Sequence, residues 1–232
     1  MLLERCKDQP SLTLDQRFSP PMVSPEMSTA MRRLFSRIRQ HQSTARAWGL
    51  TSLNHVVLLA EDNWQSPWYV KFVAASTSRY LVSYRLPESW EPWTRLSADT
   101  DNEDTAVAMI FQAMDLSGGW GPPPKRVQRA TPSALTGPPM DLSPWPLTFD
   151  QPEIIERVRA LPFPFPVRAI TNGEDRITLT QGSPTFVTLY PDEVHCWVPP
   201  DEAPWPGSRY EAIFESVEQA TELLRAAMQK WL

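Results

Sequence analysis

The stretch EDTAVAMIFQAM, Glu103 to Met114, returns near the C-terminus as VEQATELLRAAM, Val217 to Met228. Aligned, Ala106, Met109, Ile110, Ala113 and Met114 match Ala220, Leu223, Leu224, Ala227 and Met228. Spacings of three and four put these side chains on one stripe of an α-helix. Acidic residues open both stretches, Glu103 and Asp104 in one and Glu215 and Glu218 in the other, where the positive end of a helix dipole favours negative charge. The repeat predicts two copies of one structural unit, each closed by this helix.

Outward from the first copy, Thr29 to Gln40 carries Met31, Leu34, Phe35 and Ile38 at helical spacing, with Ser28 or Thr29 as the N-cap. Its other face holds Arg32, Arg33, Arg37 and Arg39. Three runs rich in β-branched and aromatic residues follow, Leu53 to Ala60, Pro67 to Ala75 and Arg79 to Leu86, and read as strands. Pro87 to Asp101 reads as a Trp- and acid-rich connection.

The second copy opens with a helix from Pro152, striped by Ile154, Ile155, Val158 and Leu161. Strands follow at Val167 to Thr171, Arg176 to Thr180, Thr185 to Tyr190 and Val194 to Val198, with Tyr210 to Phe214 as a final edge strand. Asn172-Gly173 and Gln181-Gly182 supply turns, and Val82 to Pro87 resembles Val187 to Pro191. Between the copies, Pro122 to Pro124, Pro132, Pro138, Pro139, Pro144 and Pro146 deny the chain both helix and central strand, because each proline removes a donor and restricts its predecessor.

The expected fold is therefore α+β, a tandem repeat of two α-β-β-β(-β)-α modules with antiparallel sheets and helices packed on one face. The expected boundaries are a flexible N-terminal arm over 1–26, a first module over 27–120, a Pro-rich linker over 121–148 and a second module over 149–232. In the arm, Leu2, Leu3, Leu12 and Leu14 also allow an extended strap lying on the body. The α-β-β-β-α order resembles the double-stranded-RNA-binding module in topology. That resemblance implies phosphate contacts by lysines at the start of the second helix. Glu103 and Asp104, or Val217 and Glu218, stand at those positions, so repulsion replaces attraction there.

Composition narrows function by exclusion. The 232 residues hold 25 Pro but only 8 Gly, with no GxGxxG or GxxxxGK[ST] pattern to cradle a phosphate, so no nucleotide cofactor is implied. A formal net charge of −5 argues against a surface built throughout to grip nucleic acid or anionic lipid. Cys6 and Cys196 form neither a CxxC pair nor a metal-ligand spacing, and His41, His55 and His195 lack a spaced partner, so no metal site is implied. With no leader pattern and no long apolar run, the expected location is the cytoplasm, without a membrane contact.

The sharpest functional signal is tryptophan placed in connections between elements. Trp90, Trp93 and the neighbouring Glu88 and Glu91 are the expected partner-binding residues, because a rigid aromatic buries a large area at small entropic cost. Arg32, Arg33 and Arg37 are the expected second surface, since guanidinium forks pair with carboxylates and phosphates. The leading expectation is a non-enzymatic protein that binds another protein, of the assembly-factor, chaperone or inhibitor type. One alternative is a nucleic-acid binder using the first helix with Lys125, Arg126 and Arg129 of the linker. The other is an enzyme with an acidic groove between the modules.

Overall fold

A computed structural model describes residues 1–9, 12–86, 95–122, 168–171, 177–180, 185–190, 192–199 and 201–230. The chain divides into two compact units, Met1–Ser89 with Leu96–Lys125, and Trp90–Arg95 with Arg126–Leu232. The described residues form eleven strands and four helices, an α+β chain.

In the first unit, β1 (Leu2–Arg5) precedes the short helix α1 (Leu14–Arg17) and the long helix α2 (Pro25–Gln40). A run of strands follows, β2 (Arg46–Ser52), β3 (His55–Leu59), β4 (Tyr69–Ser76), β5 (Arg79–Arg85) and β6 (Arg95–Thr100, whose first residue, Arg95, belongs to the second unit), before helix α3 (Glu103–Ser117). The sheet order is the chain order, from β1 to β6. β1 runs parallel to β2, while β2 to β5 each pair antiparallel with the next, so this sheet is mixed rather than purely antiparallel. Helices α2 and α3 both pack on β4, with α3 also on β5. Alternation along the strands aims Val70, Phe72 and Ala74 of β4, with Tyr80, Val82 and Tyr84 of β5, into the core, where they are buried. Met31, Leu34, Phe35 and Ile38 of α2 meet them, and Phe35 stands edge-on to Phe72 at 6.3 Å.

The N-terminal segment departs from the expected flexible arm. β1 pairs with β2 from Leu2↔Arg46 to Arg5↔Gly49, Cys6, Leu14 and Phe18 are buried, and a capping box between Thr13 and Gln16 closes α1. Leu14 packs so tightly on β2 that a Cβ at Gly49 would lie 2.5 Å from its Cδ1. The apolar residues of this segment are what hold it down. Helix α2 also begins one turn earlier than expected, because Ser24 caps it by accepting from the Met27 amide at 3.2 Å and Pro25 fits the first turn, where no amide is needed. Leu53 and Asn54 form the β2–β3 turn rather than strand, and Leu53 adopts the left-handed region at φ 53. Arg95–Thr100, expected as connection, is strand β6.

Helix α3 shows how the opening stretch folds. Asn102 accepts from the Thr105 amide at 2.9 Å, Glu103 and Asp104 occupy the first turn, and Gly118 ends the helix at φ 83. Ala106, Met109, Ile110, Ala113 and Met114 are all buried, each large side chain contributing on the order of 1.5–3 kcal/mol as an upper bound.

In the second unit the described strands are β7 (Arg168–Thr171), β8 (Ile177–Thr180), β9 (Thr185–Leu189), β10 (Glu193–Trp197) and β11 (Arg209–Ile213), followed by helix α4 (Val217–Gln229). They lie in the order β7-β8-β9-β10-β11, each antiparallel to the next. Helix α4 packs on β9 and β10, with Ala220, Leu223, Leu224 and Ala227 buried. The expected helix at 152–161 and the linker from 123 onward lie outside the described residues.

Candidate functional site

Three sequence-distant segments meet at one end of the first sheet. Trp48 on β2 pairs in register with Leu59 on β3, which in turn faces Tyr69 at the start of β4. Trp68 precedes β4, and its carbonyl accepts from the Ala60 amide at 3.4 Å. The turn after α3 closes over it: a Cβ at Gly119 would lie 2.4 Å from that of Trp68, so only glycine permits the approach. Next along, the Trp120 indole donates to the Arg46 carbonyl at 2.8 Å, and the Arg46 guanidinium lies 5.8 Å from the Trp48 ring centroid.

From this end projects the β3–β4 connection, residues 60–68, and it is braced throughout. Asp62 accepts from the Lys7 amide at 2.7 Å and Asp8 accepts from the Trp64 amide at 2.9 Å, tying the loop to the N-terminal segment from both sides. Within the loop, Asn63 accepts from the Gln65 amide at 2.9 Å and donates to Glu61 at 3.0 Å, while the Ser66 hydroxyl donates to the Trp68 carbonyl at 2.9 Å. Thus held, Trp64 is 63% exposed and Trp68 36% exposed. Exposure of a large aromatic is ordinary on a floppy tip, but on a backbone fixed by so many hydrogen bonds it presents a preorganised apolar anchor. Cys6 beside these braces is buried, and its thiol is pushed above its ordinary value chiefly by burial, against a lowering hydrogen bond from the Asp8 backbone and with a further rise from Asp62.

The arginine face of α2 is largely matched from within the first unit. Arg33 Nε contacts Glu103 at 2.9 Å and Arg37 Nε contacts the other oxygen of Glu103 at 2.7 Å, with Arg37 also paired to Asp104. Tyr80 joins them, donating to Glu103 at 3.2 Å. The two charge clusters that stand apart in the sequence, the basic helix and the acid-rich start of α3, therefore satisfy one another. At the end of α2, Arg39 grips Asp15 of α1 through two nitrogens at 3.2 and 2.7 Å. This pairing, more than any other influence, holds the Asp15 carboxyl below its ordinary value. Arg32 lies in the same region without an ion-pair partner among the described residues. An open depression of about 610 Å³ lies there, lined by Asp15, Arg32, Arg33 and Arg39 together with the polar Ser28, Thr29, Ser36 and Gln40 of α2.

The second unit carries its own charged cluster on the sheet face turned away from α4. Arg95 contacts Glu211 at 2.5 Å and Glu193 at 2.8 Å, Arg209 takes the other oxygen of Glu211 at 2.7 Å, and His195 takes that of Glu193 at 2.7 Å. Cross-strand register aligns Thr178, Thr188, His195 and Glu211 in one row over four strands. Each of the four carboxylate oxygens is engaged, so the cluster fastens strands together rather than presenting a lone base. Cys196 lies on the opposite face, buried, with its Sγ 3.7 Å from the Ala227 carbonyl of α4, so alternation separates it from His195 as the strand period requires. His41 stacks on Phe111 at 3.6 Å, and His55 is half-buried, its imidazole held below the ordinary value by burial and then by Lys71.

Of the residues expected to bind a partner, Arg33 and Arg37 are brought together by Glu103, and Arg32 stands apart from that pair. Trp90, Trp93, Glu88 and Glu91 lie outside the described residues. Trp64 and Trp68 are additions that sequence reading ranked no higher than the other tryptophans. The signal that separates them is the pair of acids Asp8 and Asp62 flanking the loop's backbone, which only the fold brings together.

By fold, the chain is an α+β protein in which helices cover sheets. Searches against protein-family models, curated proteins and solved structures found no match to it. Among the described residues, no helix is long and apolar enough to cross a membrane, and no group of three or more His, Cys, Asp or Glu side chains is placed to hold a metal ion.

Proposed function

We propose that this is a non-catalytic protein-binding protein of the cytoplasm, an assembly factor, chaperone or inhibitor, that engages its partner through the braced Trp64–Trp68 connection. The observation that carries this reading is the 63% exposure of Trp64 on a backbone fixed by Asp8 and Asp62. Anchors of this kind dominate protein interfaces because their ordering cost is met before association. Trp90, Trp93, Glu88 and Glu91 are proposed as further partner-binding residues.

We also infer that the chain is an internal duplication. Strands β5 and β6 and helix α3 begin at Arg79, Arg95 and Glu103; β10, β11 and α4 begin at Glu193, Arg209 and Val217, a constant spacing of 114 residues. Helices beginning at this same interval, with matching buried stripes, support one ancestral α+β module used twice.

Capture of tagged protein from native extract, with and without nuclease, tests the binding reading. A stoichiometric protein that survives nuclease is expected. Capture of nucleic acid, or loss of every partner on nuclease treatment, contradicts it.

A further inference from the structure

The arginines of α2 are unequal, and their inequality points to what they bind. Arg33 and Arg37 are committed to Glu103 and Asp104, and Arg39 to Asp15. Arg32 has no carboxylate in ion-pair range among the described residues, yet it lines the depression with Arg33 and Arg39, which follow it along α2. Those neighbours are held in place by their partners but are not exhausted by them. Arg33 uses Nε and Nη2 on Glu103 and Tyr80, which leaves Nη1 without a partner, and Arg39 uses only its two terminal nitrogens on Asp15. Ser36 and Gln40, one and two turns along the stripe from Arg32, add a hydroxyl and an amide already hydrogen-bonded to each other at 3.1 Å.

We propose that this depression is a docking site for an acidic segment of a partner protein, whose carboxylate takes the open Arg32 fork. The inference rests on the protein-binding reading and names the chemistry of a second contact. Charge complementarity commits it to a carboxylate-bearing peptide. Among the described residues, four guanidiniums, Arg32, Arg33, Arg37 and Arg39, face three carboxylates, Asp15, Glu103 and Asp104, so one positive charge on this face lacks an ion-paired carboxylate in a chain whose net charge is −5. A planar fork matches a carboxylate bidentately, and neighbours already anchored lose little entropy when they add a hydrogen bond. A wholly exposed pair would contribute little, which is why the depression and the flanking donors matter to the argument.

The test is fluorescence anisotropy of a labelled hexaglutamate peptide titrated with the full chain, beside hexaglutamine. Hexaglutamate is expected to bind and hexaglutamine not. Arg32→Gln should weaken hexaglutamate by about tenfold, and Arg32→Lys, which keeps the charge but loses the fork, by an intermediate factor. Lys7→Gln removes one positive charge elsewhere on the same unit and should leave the affinity within about twofold. Arg32 makes no ion pair among the described residues and acts on Asp15 only as a secondary charge, so its variants should melt close to the parent. Equal binding by the parent and Arg32→Gln overturns the site, as does equal weakening by Lys7→Gln, which would assign the effect to overall charge. Because the probe does not involve Trp64, a failed extract capture with intact hexaglutamate binding removes the Trp64 reading alone. The reverse pattern removes only this site.

Discussion

Individual side chains divide into those that hold the fold and those left exposed on it. Gly119 belongs to the first kind: its missing Cβ is what lets Trp68 close over the turn after α3. Gly119→Ala should destabilise by about 1–3 kcal/mol as Trp68 or the turn shifts, read by urea unfolding. His55 and Asp15 set acid sensitivity in two separate pH windows. The His55 imidazole is held below 6.5, so the unfolded chain takes up a proton more readily than the folded one, and stability should decline as pH falls below that value. The Asp15 carboxyl is held below 3.8, so the stability it lends is present above that value and lost as pH falls through the lowered one. In urea unfolding at stepped pH, His55→Gln should remove the first decline without altering the second, and Asp15→Asn the second without the first. If neither variant flattens its limb, these environments are wrong.

Elements were legible in the sequence wherever their signal is local. The α3 stripe and its acidic start, the α2 stripe, and strands β7 to β11 all follow from spacing and turn residues near at hand, and α+β follows from their order. What was not legible depends on distant partners. β1 is a four-residue strand that exists because it pairs parallel with β2 more than forty positions away, and β6 is short, with consecutive buried residues Leu96, Ser97 and Ala98 that hide its alternation. Val82 to Pro87 resembles Val187 to Pro191 in sequence, whereas the 114-residue spacing of the proposed duplication would make β10 the counterpart of β5. The charge clusters were visible as residues, but their mutual satisfaction needs α2 and α3 side by side. Caps make the local part quantitative. Asn102→Ala removes the acceptor for the Thr105 amide and should cost about 1 kcal/mol of stability, a change readable as a lower urea midpoint at unchanged slope.

Taken together, the chain spends its charged residues on internal pairing and leaves aromatic surface outside. Carboxylates on α1 and α3 occupy most of the α2 arginines, Arg95 and Arg209 are occupied by Glu193 and Glu211, and the large side chain held outward on a fixed backbone is Trp64. On the proposed reading, that distribution suits a protein partner better than a nucleic acid, whose row of phosphates would need all of those arginines unpaired rather than Arg32 alone. The decisive measurement is the affinity of the captured partner for the parent, Trp64→Ala and Met22→Ala, the last being an equally accessible apolar residue away from the loop at 54% exposure. Trp64→Ala should lose at least about 2 kcal/mol of binding, roughly thirtyfold, while Met22→Ala stays near the parent and both melt as the parent does. Full affinity in Trp64→Ala, or equal loss in both variants, would contradict the account.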